Sequence, residues 1–478
     1  MNTTRLASIP RTAWRQILLC TLALLWLGLP IAVAQESAGP STPQEPSKPA
    51  APSGGQPSVL ETADAILHQM SEITGLPIKA PLKKRIISKS EVEKYLKENL
   101  HADYTPEEMH GEEAALKAFG VVGPDFDLEK FLVSFYTEQA AGFYDPRRQT
   151  MFMADWVEPD QQKMVLAHEL THALQDQSFD LWKYMHAARE DDDATAARAA
   201  LVEGYATLAM LQSMLGSMPV EKLPSLDALM EQVVNQQMAE FPVFSRAPFF
   251  LRFQMLFPYL QGMQFNLKGL QLGGWKRLNQ SFARPPATTH QIFQPDLYYD
   301  PASKEGGGAT RVSTTPNDEG RMAFALPPPS ALGRLRGLRQ VEDNIMGALG
   351  YYALIGQLLS RQEAQRVAEP WVADRYRVYE GPAPGQFTLL ARTKWASVEA
   401  ASNFCSDYRT ILEKRLPGAE EDQGGSNDRS AGGTEILLQT SGPRRTVLLD
   451  RGDECRWAEG VTAAQYSEVA KWLESPDL

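Results

Sequence analysis

Cysteine is almost missing from this 478-residue chain: only Cys20, Cys405 and Cys455 occur. So few cysteines exclude a cysteine-built zinc framework, and any metal site has to draw on histidine, aspartate and glutamate. Histidine is scarce too, at seven. Basic charge is in deficit, with 47 Lys and Arg against 59 Asp and Glu, and no long basic run appears. Nucleic acid is therefore not an expected partner.

The first 34 residues form an expected signal peptide. Arg5, Arg11 and Arg15 precede the apolar run from Ile17 to Ala34, which closes on Ala32-Val33-Ala34, a small-x-small cleavage site. Export to the periplasm or the medium follows, with no stable membrane span after cleavage. Removal takes three arginines and no acids, so the net charge moves from −12 to −15. Only Cys405 and Cys455 remain, and an oxidising compartment would let them form a disulfide.

Composition divides the rest. Residues 35–57 are rich in proline, serine and glycine and read as a linker. Residues 58–130 carry a helix from Val59, a strand around Lys84–Ser88 and a charged helix with Ser90 as its expected cap. They form either part of a catalytic domain or a removable pro-segment. Residues 131–300 hold the chemistry. Two short strands are expected in AGFYDPRRQTMFMAD, turning at Asp145-Pro146. A helix starts at Pro159, and a second long helix runs through DATAARAALVEGYATLAMLQSML. Between the two, REDDD at 189–193 reads as a solvated acidic loop. Residues 301–340 are a breaker-rich linker, and 341–478 open with one long apolar helix and continue as alternating strands and helices. The expected class is α+β: a mostly helical domain with a small sheet, then a small α+β C-terminal domain.

The chemical signal is VLAHELTHALQD, residues 165–176. Positions i and i+4 share a helix face, so His168 and His172 can meet one ion. Neutral imidazole suits Zn²⁺, and a catalytic zinc takes three protein ligands plus an open position for water. Glu169, beside the first histidine, is placed to take a proton from that water. Asp180, His186 and Glu203 are candidates for the third ligand. Glu203 stands out because it interrupts an apolar stretch, where an unpaired charge is costly. Ser178 occupies the place where the metzincin pattern needs another histidine.

HELTHALQD with a downstream helical glutamate resembles the gluzincin class of zinc metallopeptidases, and HELTHA is similar to the active-site helix of thermolysin-like enzymes. The resemblance implies a zincin-like catalytic domain with one Zn²⁺ per chain, His168, His172 and Glu203 as ligands, Glu169 as general base, and a peptide or protein as substrate. Thermolysin-like enzymes also carry an aspartate four residues after the ligand glutamate. Thr207 stands there, which moves the support of a ligand histidine elsewhere, with Asp176 the expected substitute. EGYAT, FPYLQGMQF, GGW, PPATTH and WVADRYRVYE, in this order, are similar to a group of exported bacterial proteins bearing His-Glu-x-x-His.

Gluzincins place a strand along the cleft and a Tyr or His at the oxyanion. The expected oxyanion donors are His290, then Tyr259 and Tyr205, and Trp275 is expected as a packing anchor. Two other readings stay open: a zinc hydrolase of a non-peptide bond, and a non-catalytic binding protein on the same scaffold.

Overall fold

The computed structural model describes residues 59–223, 238–300, 337–416, 433–439 and 444–474, with a few residues between. The expected signal peptide, the linker 35–57 and the stretch 301–334 lie outside the described residues.

The architecture is α+β. The first part is helical around a three-stranded sheet ordered β1-β3-β2, formed by Lys83–Ile87, Thr150–Ala154 and Gly142–Asp145. β1 runs parallel to β3 and β2 antiparallel to it, the latter pair joined by the expected turn after Asp145. The region 58–130 supplies β1 and the helices α1 (Val59–Thr74), α2 (Lys89–Asp103) and α3 (Pro106–Ala118). α2 starts at Lys89, two residues earlier than a cap at Ser90 would place it. Its cap is Ser88 rather than Ser90, because Glu91 closes a reciprocal capping box with Ser88.

α4 (Leu128–Gln139) leads into the sheet, and α5 (Pro159–Phe179) carries the histidines. α5 is buried along most of its length, as a central helix must be. α6 (Leu181–His186) follows after a sharp turn at Asp180, whose φ is +56°. α7 (Asp192–Leu215) then crosses the core. Its alanines favour helix and allow close approach: a Cβ on Gly204 would fall 2.1 Å from the backbone of Gly262. Gly262 belongs to the long helix α8 (Phe249–Ser281), which bends at Gly273 and Gly274.

The acidic stretch is not a solvated loop. Asp191 caps α7, Asp192 and Asp193 lie in its first turn, and Asp193 is buried. Asp193 Oδ1 accepts from the Thr289 backbone N–H and from its hydroxyl, at the start of α9 (Thr289–Phe293).

The C-terminal part is a seven-stranded antiparallel sheet built from β4 (Arg339–Asn344), β5 (Trp371–Glu380), β6 (Phe387–Trp395), β7 (Glu420–Glu421), β8 (Gly433–Gln439), β9 (Arg444–Arg451) and β10 (Glu454–Thr462), in the order β4-β5-β6-β10-β9-β8-β7. The single long helix expected across 342–364 is three elements instead: strand β4 (Arg339–Asn344), helix α10 (Gly347–Leu358) and helix α11 (Arg361–Ala368). Gly347 has a φ of +71°, and the Asp374 carboxylate accepts both the Met346 and Gly347 N–H groups, which fixes the start of α10 there. Ser360 ends it by capping α11. α12 (Val398–Arg415) lies on the sheet, and the Cys405–Cys455 disulfide ties it to β10 (Glu454–Thr462). One continuous core joins the helical part to α10 and most of this sheet, and a smaller cluster sits under the last helix, α13 (Ala463–Glu474). Among the described residues, no helix is long and apolar enough to cross a membrane.

Candidate metal centre

α5 and α7 pack side by side and bring three side chains together. His168 Nε2 and His172 Nε2 are 3.0 Å apart, Glu203 Oε2 is 3.2 Å from His168 Nε2, and it is 3.4 Å from His172 Nε2. Two bonds of zinc length at a tetrahedral angle separate their donor atoms by about 3.3 Å. The three distances bracket that value. Among the described residues, this trio is the group of metal-ligating side chains that could hold an ion.

His168 Nδ1 has no hydrogen-bond partner among the described residues, whereas His172 Nδ1 is held. His172 Nδ1 lies 2.8 Å from Gln175 Oε1, an atom that only accepts, so Nδ1 carries the hydrogen and Nε2 keeps its lone pair. Gln175 is oriented by its other end, whose Nε2 donates to the Val202 carbonyl at 3.2 Å. The support expected from Asp176 is therefore supplied one residue earlier. Asp176 instead accepts from the Tyr144 hydroxyl and the Leu181 N–H. Thr207 is buried, and its hydroxyl finds no partner among the described residues.

Burial pushes the His168 imidazole below its ordinary range, favouring the neutral form that binds metal. Burial works against a charge on Glu203 as well, but the two histidines outweigh it and hold its carboxyl low. The donor set is thus two imidazoles and a carboxylate, which suits a divalent zinc-like ion.

Glu169 is positioned by the sheet. Its Oε2 accepts the Tyr144 backbone N–H at 2.9 Å, across the outer edge of β2. Gly142 lets α5 come this close, since a Cβ there would meet Val165 at 2.8 Å. The outer strand of the β2–β3 hairpin therefore supports Glu169.

Tyr259, on α8, stacks over His168 with ring centroids 6.2 Å apart. Burial, then the charges of Glu203 and Glu169, push its phenol well above its ordinary range. The other expected donors are elsewhere. His290 Nε2 donates to the Glu369 carbonyl at 2.8 Å and faces Trp371, in a contact with the C-terminal part. Its neighbour Thr289 meets Asp193, ten residues and about 15 Å along α7 from Glu203. Tyr205 donates to Asn279 and packs edge-on against Trp275, the expected anchor. Asp180 caps α6, and His186 lies against Trp182. Neither belongs to the trio.

Sequence reasoning missed Gln175 and Tyr144. Gln175 carried a usable signal, lying one turn after His172 on the same helix. Tyr144 acts through its backbone, which no residue type advertises.

A family described as a domain of unknown function (DUF8575) matches residues 334–470, the C-terminal sheet and its helices, and does not include His168, His172 or Glu203. No curated protein and no solved structure matches the chain.

Proposed function

We propose that this chain is an exported zinc metallopeptidase of gluzincin type that hydrolyses peptide bonds. The observation that carries the reading is the trio His168, His172 and Glu203 at tetrahedral spacing, with the Glu169 carboxylate one residue from the first ligand. The Cys405–Cys455 disulfide supports an oxidising compartment.

His168, His172 and Glu203 would hold one zinc, which when bound supplies Lewis acidity toward a carbonyl and lowers the pKa of water. Glu169, oriented by Tyr144, takes a proton from the attacking water and delivers it to the leaving amine. Tyr259 stays protonated at neutral pH, and its hydroxyl, bonded to the Glu203 carboxylate, would turn to the developing oxyanion as donor. Gln175 keeps the His172 ring in one tautomer.

One observation favours a second reading, a closed metal site without turnover. His168, Glu169, His172 and Glu203 are all at most 1% exposed, which leaves a substrate little access to an ion held there. A digest of a peptide library by the zinc-loaded chain and its Glu169→Gln variant separates the two. Peptidase activity gives fragments from the parent and a loss of about 10²–10⁴-fold in the variant with zinc retained. A zinc-replete parent that yields no fragments favours the closed site, or a bond of another kind.

A further inference from the structure

Gln139 ends α4 with its side chain fully buried, and neither its Oε1 nor its Nε2 finds a hydrogen-bond partner among the described residues. Every other buried asparagine or glutamine among them makes at least one such bond, from Asn99 to Gln465. Burying an amide with both ends unmet costs stability, and native chains rarely do so without a use for it.

The surroundings of Gln139 point to that use. Tyr136, one turn earlier on the same face of α4, donates to Met255 Sδ at 3.7 Å. Met255 stands one turn before Tyr259 on α8. Burial and the charges of Glu203 and Glu169 raise the Tyr259 phenol, and Tyr136 is near enough to add to that push. Three residues after Gln139, Gly142 lies against Val165, one turn before Glu169 on α5. The last turn of α4 thus enters the core between α5 and α8, beside the candidate base and the candidate oxyanion donor. Glu138 points elsewhere: its carboxylate accepts the Val243 and Phe244 N–H groups of the short helix Pro242–Arg246.

We propose that Gln139 binds the backbone of a peptide substrate next to the bond that is cut. The inference rests on the peptidase reading, which already requires the closed centre to open for a peptide. A carboxamide presents N–H donors and a carbonyl acceptor in one plane, the complement of the C=O and N–H groups of a peptide. Neither end carries charge, so the contact recognises a peptide backbone whatever side chains it bears. The amide then destabilises the free chain and finds its partners only when substrate is held.

The test compares the full zinc-loaded chain with its Gln139→Met and Gln139→Leu variants, whose apolar side chains fill nearly the same space. The substrate is a fluorogenic peptide drawn from the cleaved members of a peptide library. Removing an unmet amide is expected to leave the urea midpoint equal or higher, with zinc content at the parent level. KM is expected to rise about tenfold with kcat little changed, because a backbone contact is made before and during the reaction alike. A lower midpoint in both variants would make the amide a structural group that holds buried water, and overturns the assignment. Unchanged KM in the folded variants also overturns it, while leaving the peptidase reading intact. A zinc-loaded parent that cuts no peptide removes that reading, and this inference with it.

Discussion

His172 Nδ1 and Gln175 Oε1 meet at 2.8 Å, and the other end of the same amide grips Val202, the residue before Glu203. One side chain thus sets the tautomer of a candidate ligand on α5 and pins α5 to the stretch of α7 that carries another candidate. Gln175→Leu is expected to weaken zinc binding about 10–100-fold, read by competition with a chelator. Gln175→Glu, which keeps an acceptor for Nδ1, should retain more of the affinity. Unchanged affinity in Gln175→Leu would reduce this contact to packing.

The closeness of α7 and α8 is a second condition for the site. Gly204 follows Glu203, and a Cβ on it would run into the Gly262 backbone. Backbone cannot swing aside as a side chain can, so Gly204→Ala should cost about 1–3 kcal/mol or more in urea unfolding. Because the helix carrying Glu203 must move, zinc affinity should drop along with stability. A variant that is equally stable and binds zinc equally well would show that the two helices have room to spare.

The disulfide Cys405–Cys455 closes a loop across 50 positions of sequence. On the loop-entropy account, such a link stabilises by about 4 kcal/mol. Replacing both cysteines with alanine should lower the urea midpoint accordingly and leave zinc content unchanged, since the bond ties α12 to β10 and does not touch the trio. Loss of zinc in that variant would mean that the C-terminal sheet supports the metal site more directly than the contacts suggest.

Glu342 gives the chain a pH dependence. Its carboxyl titrates near 8 in the folded chain, against an ordinary value of 4.5. The folded state holds a proton that the unfolded state releases across that interval. Stability from this group is therefore complete below the lower value and is lost as pH rises through the upper one. Glu342→Gln should raise the melting temperature above that window and flatten its decline between the two values. An identical decline in parent and variant would assign the effect to other groups.

The α+β class and the helices of the site were legible because their signals are local. Apolar periodicity marks α5 and α7, and the spacing of His168 and His172 needs nothing beyond helix geometry. Glu203 was legible as a carboxylate inside an apolar stretch. What failed depended on distant partners. Asp193 looks like a loop charge until Thr289 is placed beside it, and His290 looks catalytic until Glu369 takes its ring nitrogen. The helix expected from Glu342 onward breaks because Asp374, some thirty residues later, holds the start of α10 at Gly347. The two neighbours that shape the centre, Gln175 and Tyr144, act through an amide and a backbone N–H.

The most direct test is the metal content of the chain from Gln35 onward, by elemental mass spectrometry, beside a Glu203→Ala variant. About one zinc in the parent and a large loss in the variant are expected from a three-ligand catalytic site. Full zinc in both would contradict Glu203 as a ligand, and no zinc in the parent after zinc is offered would contradict the metal centre itself.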